Sequence, residues 1–191
     1  MAFGSASDRY SPAEYLAIER AARQRSEYVN GETVAMAGAS RAHNLIVLNV
    51  AAEPRAQLRN HPCEVYASDM RLTVVGTRLY TYPDVLVVCA EALFEDAEAD
   101  TLLNPTVVFE VLSDLTEVYD RGEKCAHCRR LDSMQSYVLV SQRRPRVEHF
   151  ERSGRRWVLT EYDALDQTLM LPAVGCELAM AEIYRQVPLS D

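Results

Sequence analysis

Apolar and polar positions recur along the chain with two different periods, and the switches between them mark out the elements. Ser11-Pro12-Ala13-Glu14 reads as a helix start: Ser11 as N-cap, proline at the first helical position, Glu14 at the capping-box position. Tyr15, Leu16, Ile18 and Ala22 continue it as an apolar stripe to about Arg23. Glu27-Tyr28-Val29 and Thr33-Val34-Ala35-Met36 flank Asn30-Gly31, a strong short-range hairpin signal. A second helix is expected from Ser40, carried by Leu45, Ile46, Leu48 and Ala52, and Pro54 should kink it or end it early. Strands are expected over 64–67, 70–75 and 78–82, the last leading into the run after Asp84. An acidic loop over 91–100 intervenes, and Asn104-Pro105 turns the chain into Val107-Val108-Phe109-Glu110-Val111-Leu112-Ser113.

A helix is predicted over 118–131 and a buried strand over 136–141. Alternating segments over 146–151 and 157–162 pair around Ser153-Gly154, and a short strand at 169–171 precedes a last helix over 178–184. The strand at Glu110, the following helix and the strand at Tyr137 form a βαβ crossover, so those two strands should be parallel neighbours. The fold class is therefore α/β: a mixed β-sheet flanked by helices, with an antiparallel hairpin extension. One domain over 11–187 accounts for the pattern, and the small polar residues 1–10 are expected to fray.

Two of these runs carry a residue that a buried strand should not tolerate. Thr81-Tyr82-Pro83-Asp84-Val85-Leu86-Val87-Val88 and the run around Glu110 are apolar enough to be buried on both faces, yet each holds one carboxylate. An unpaired buried carboxylate costs several kcal/mol, or else takes up a proton. Two such acids need a shared cation, and Lys124 follows shortly after the second. Strand-borne Asp and Glu also suit a hard divalent ion, for Mg²⁺ takes oxygen ligands and keeps waters for the rest of its shell. The competing reading gives Asp84 a strand cap and Glu110 an arginine partner.

Tyr82-Pro83-Asp84-Val85, Asn104-Pro105-Thr106, Phe109-Glu110-Val111-Leu112-Ser113, Tyr119-Asp120-Arg121-Gly122-Glu123-Lys124 and Ser136-Tyr137-Val138-Leu139-Val140 together resemble the Uma family of restriction endonucleases, a bacterial branch of the PD-(D/E)XK nuclease superfamily. The resemblance runs from the first helix to Gly175-Cys176-Glu177-Leu178. It implies a restriction-endonuclease-like core and a site in which Asp84 and Glu110 bind Mg²⁺ (or Mn²⁺) and Lys124 assists the attacking water. The superfamily lysine is expected two residues after the Glu, where this chain has Leu112, so Lys124 stands in from the following helix. DNA is the implied substrate and a homodimer the implied assembly. Glu27 and His43 fall in segments like the family's N-terminal hairpin and helix and are auxiliary candidates. His43 is equally readable as a helix-start histidine bonded to backbone. Asp69 is a further ligand or a plain turn residue, and Asp120 a structural partner of Lys124 at i,i+4. The rival reading is a binding module that keeps the fold and cuts nothing.

Composition narrows this further. With 191 residues, 48% hydrophobic and 25% charged, the chain is an ordinary globular domain, and no apolar run reaches the roughly 18 residues of a membrane span. The net charge of −8 disfavours indiscriminate nucleic-acid binding, although arginines cluster at 121–130 and 143–156. Seven glycines and no Gly-rich loop leave nothing for a nucleotide triphosphate site. Five cysteines without a signal segment predict free thiols and a cytoplasmic location. Cys125-Ala126-His127-Cys128 lacks the second ligand pair of a structural zinc site and is expected to pack in the core.

Overall fold

The computed structural model describes residues 9–189. Its elements in chain order are α1 (Pro12–Ala21), β1 (Ser26–Val29), β2 (Glu32–Ala35), α2 (Arg41–Gln57), β3 (Glu64–Ala67), β4 (Arg71–Val74), β5 (Leu79–Thr81), β6 (Val85–Val88), β7 (Thr101–Leu102) and β8 (Val107–Leu112). Then α3 (Glu117–Tyr119) passes through a π-helical turn, Asp120–Lys124, into α4 (Cys125–Cys128). The remainder is β9 (Ser136–Ser141), β10 (Val147–Ser153), β11 (Arg156–Tyr162), β12 (Thr168–Leu171), β13 (Cys176–Ala179) and α5 (Met180–Ile183).

The strands of the crossover behave as expected. β8 and β9 are parallel, β6 runs antiparallel to β8, and the sheet reads β11-β10-β9-β8-β6-β3. Every residue of β6 and β8 is buried. Because side chains alternate, Val85, Val87, Val107, Phe109 and Val111 face one layer, built from α2, the β12–β13 hairpin and α5. Leu86, Val88, Val108 and Leu112 face the other, together with Leu72 and Leu79 of a second sheet and with Cys125 and Cys128. Glu110 shares the parity of Val108 and Leu112, and so is turned toward the layer that contains the helix after β8.

That second sheet was not anticipated. Its order is β2-β1-β5-β4-β7, five strands stacked on the first sheet and covered by α1. Tyr15 of α1 packs at 5.0 Å from Tyr28 and 5.4 Å from Tyr80, a separate aromatic core. The capping box of α1 forms as read, with Glu14 donating nothing but accepting from the Ser11 N–H at 2.8 Å. The frayed segment expected over 1–10 falls mostly outside the described residues, and Tyr10 is held by its N–H to the Gly31 carbonyl at 2.9 Å.

Asn30-Gly31 makes the β1–β2 turn with both residues at positive φ, 53° and 101°. A Cβ at position 31 would also come within 3.1 Å of the Arg9 Cβ. Gly31→Ala should therefore cost about 1–2 kcal/mol in urea unfolding, from the left-handed backbone alone; an unchanged midpoint would contradict it.

Three other expectations are corrected. Pro54 does not end α2 early: it sits one turn from the C-terminus, buried, the helix runs on to Gln57, and the Pro54 carbonyl still accepts from the Leu58 N–H at 2.8 Å. Leu178 belongs to β13 rather than a helix; Cys176, Glu177, Leu178 and Ala179 alternate inward and outward, and α5 begins only at Met180. The cysteines are not all free. β3 pairs with β6 in a register that sets Glu64 against Val88, and one step further the same register opposes Cys63 and Cys89, which form a disulfide. Cys125, Cys128 and Cys176 are buried free thiols, and the first two pack in the core as expected. No helix of the described residues is long and apolar enough to cross a membrane.

Candidate functional site

Asp84 is placed by what precedes it. Tyr82 is buried, with Arg25 and Arg71 stacked over its ring at 5.5 and 5.7 Å, and its hydroxyl donates to the buried Glu19 carboxylate at 3.0 Å. Pro83 then fixes the backbone, and Asp84 emerges at the mouth of β6. Its Oδ2 accepts from the Val111 N–H at 2.7 Å, tying it to the strand that carries Glu110. Its Oδ1 lies 3.2 Å from His43 Nε2, which the Ser40-capped start of α2 delivers. The Asp84 side chain keeps 20% of its surface open to solvent.

Glu110 is 3% exposed, and Lys124 meets it from the π-helical turn. Such a turn widens the helix locally, and here both Asp120 and Lys124 are turned inward and buried. The Lys124 Nζ lies 2.9 Å from Glu110 Oε1, 3.1 Å from Glu27 Oε1 and 3.6 Å from Asp120 Oδ1. Glu27 reaches across from β1 in the second sheet, where its Oε1 also accepts from the Thr81 hydroxyl and, at 3.2 Å, from the Tyr82 N–H. Leu112 fills the core where a lysine would otherwise be sought.

Three carboxylates thus surround one ammonium, with Asp84 beside them. Burial by itself would lower the Lys124 amine, but the charges of Glu110, Glu27 and Asp120 outweigh it and hold the amine well above its usual value. Burial raises the Glu110 carboxyl well above the ordinary 4.5; Lys124 opposes that rise, and Asp120 and Asp84 add to it. Asp120 is raised from 3.8 for the same first reason, again against Lys124. The cluster sets three carboxyl groups around one ammonium in a dry place.

Carboxylate oxygens are the donor type that a hard divalent cation takes. Glu110 Oε1 faces the Lys124 ammonium at 2.9 Å, and Asp84 on the neighbouring strand keeps part of its side chain open to solvent. Among the described residues no three carboxylate, imidazole or thiol groups converge on one point as a closed cage; the Lys124 ammonium occupies the place where the acids meet.

Of the residues singled out in the sequence, Glu27, Asp84, Glu110, Asp120, Lys124 and His43 are brought together. Asp69 is not: its side chain is 77% exposed and its nearest charge is Arg25 at 3.9 Å, as suits a turn. Two residues were missed. The Gln142 amide donates to the Leu112 carbonyl at 2.9 Å beside the end of β8. The buried hydroxyl of Tyr119 finds no hydrogen-bond partner among the described residues and lies in the field of Glu27, Lys124 and Glu110. Tyr119 lies in the Lys124 segment, so a search for polar groups one turn before the lysine would have found it; nothing around Gln142 signals its role.

Comparison with known proteins gives the fold and the family. A solved structure from Anabaena variabilis, described as a putative nuclease, superposes with a TM-score of 0.75 over 90% of this chain and 96% of its own, at 17% identity. It shares the fold. Two uncharacterized proteins of Synechocystis sp. are 37% identical over 150 residues (78% of this chain, 85% of theirs) and 33% identical over 178 residues (93% and 92%). The family model Uma2, described as putative restriction endonuclease, matches residues 12–181. Spanning that match with a restriction-endonuclease-like mixed α/β fold, the chain belongs to the Uma2 family.

Proposed function

We propose that the chain is a divalent-metal-dependent endonuclease that hydrolyses phosphodiester bonds of DNA. The observation that carries this reading is the gathering of Asp84 at the mouth of β6, Glu110 inside the neighbouring β8 and Lys124 from the π-helical turn, with three carboxyl groups around one ammonium and Asp84 part-open beside them. The family description and the nuclease-like neighbour support the same class of reaction.

Asp84 and Glu110 would hold Mg²⁺ or Mn²⁺, which when bound polarises the phosphodiester and makes a bound water more acidic. Lys124 stays protonated, so it serves as a fixed positive charge that orients the water and offsets charge developing on the phosphate. Glu27 and Asp120 hold the Lys124 ammonium in place, and the Val111 N–H fixes the Asp84 carboxylate. His43 stands against Asp84 on the open side, within reach of a phosphate that approaches there.

Supercoiled plasmid with the purified protein and Mg²⁺ should be nicked and then linearised, and EDTA should stop the reaction. Asp84→Ala should slow cutting at least about a hundredfold, since loss even of groups behind a metal's ligands costs up to that much. Equal cutting by wild type and Asp84→Ala, or cutting undiminished by EDTA, would sink the reading. Retention of DNA without cutting under any metal would leave the silent binding module.

A further inference from the structure

The six-stranded sheet ends on one side at β3, which packs on α2, and on the other at β11, whose one strand partner among the described residues is β10. β11 pairs with β10 through all seven of its residues without a bulge. A full row of its backbone N–H and C=O groups therefore faces away from the molecule. Native edge strands are commonly short, bulged, or interrupted by proline or lysine, because an open ladder recruits another strand. β11 has none of these guards. Its middle is Trp157-Val158-Leu159-Thr160, uncharged residues of types that favour strands. Val158 and Leu159 are each 48% exposed although they point to opposite faces.

Charge is instead segregated to the two ends: Arg155 and Arg156 at the hairpin turn, and at the other Asp163 with Glu161, the latter already paired with Arg146 of its own chain. That segregation selects the occupant, because a second copy laid antiparallel sets the basic end of each strand against the acidic end of the other. Symmetry narrows the register. Opposed residues in an antiparallel ladder share a face, so a closed two-fold pair needs one residue that opposes itself. Centring on Leu159 overlaps all seven residues: Arg156 opposes Tyr162, Trp157 opposes Glu161, Val158 opposes Thr160, and Arg155 lies across from Asp163.

We propose that the chain forms a homodimer by antiparallel pairing of two β11 strands about Leu159, joining two six-stranded sheets into one. The interface is independent of the metal chemistry, so it stands or falls apart from the nuclease reading.

Sedimentation velocity should find the wild-type protein at twice the 21.5 kDa of the chain. Leu159→Lys would set two ammonium groups directly opposite each other and Leu159→Glu two carboxylates; each should weaken the dimer at least about tenfold. Mixed one to one, the two variants put lysine against glutamate and should recover the dimer as a heterodimer. If either variant fails to fold, Leu159→Cys serves in its place: a short bifunctional maleimide should link its two copies across the axis, the other free thiols being buried. A wild type that stays monomeric at about 0.1 mM, a dimer indifferent to both charge substitutions, or no cross-link at Leu159→Cys would each overturn the proposal.

Discussion

Replacing Lys124 with methionine is expected to lower the free energy of unfolding by about 3–5 kcal/mol near neutral pH, the usual cost of stranding a buried charge by removing its partner. Methionine keeps most of the apolar stem, so packing is not the main loss. The loss is the ammonium within 2.9 Å of Glu110 and 3.1 Å of Glu27. The deficit should also depend on pH, with a sign that follows from the carboxyls. Glu110 and Asp120 are already raised above their unfolded values of 4.5 and 3.8, and in both Lys124 is the foremost group pulling them back. Without it they rise further. Above pH 4.5 the folded variant then holds more protons than its unfolded chain, so its stability falls as pH increases. The deficit should be smallest near the unfolded carboxyl values and largest on the alkaline side. Urea unfolding of both proteins at about pH 5 and about pH 8 checks this. A deficit equal at the two pH values, or below about 1 kcal/mol at the higher, would mean that Lys124 is not the counter-ion of the cluster.

The parts of the site that sequence made legible are those that violate a local rule. A carboxylate inside the all-buried run of β8 and another behind Pro83 are conflicts readable from the chain alone, and both fall in the Lys124 cluster or beside it. The hairpin at Asn30-Gly31 and the parallel β8–β9 pair follow from local chemistry and chain order. What could not be read is whatever long-range pairing decides. Glu27 lies 97 residues from Lys124, and nothing near it announces that it caps an ammonium from another sheet. The Cys63–Cys89 bond depends on the β3–β6 register, which periodicity alone does not fix. Pro54 was misjudged because the rule against interior proline weakens in the last turn of a helix, where the backbone bonds are already incomplete. Leu178 was misjudged because a short apolar run suits strand and helix alike. Lys124 is the instructive case. Its spacing from Glu110 departs from the superfamily pattern, yet the helix after a buried strand can return a long side chain to that strand, here through a wider π turn.

Glu110→Gln should separate stability from activity. The cluster holds three carboxylates against one ammonium, so it lacks positive charge, and removing a negative charge is not the mirror image of removing the lysine. After the substitution Lys124 still has Glu27 at 3.1 Å and Asp120 at 3.6 Å, so no cation is stranded. Glutamine is close in volume, and it abolishes the cost of burying an ionised carboxylate, the largest influence on Glu110. The variant should therefore unfold within about 1 kcal/mol of the wild type or be more stable. Its advantage should grow with pH, because only the wild type must ionise the buried Glu110 as pH rises above 4.5. Metal-dependent cleavage should nonetheless fall at least about a hundredfold, as an amide oxygen is a poor substitute for a carboxylate on a hard cation. Thermal melts and plasmid nicking on one preparation measure both. A variant destabilised by more than about 2 kcal/mol that still cuts would make Glu110 a structural partner of Lys124 and nothing more. A stable variant that has lost cutting would show that the fold keeps this carboxylate at its own expense, for chemistry.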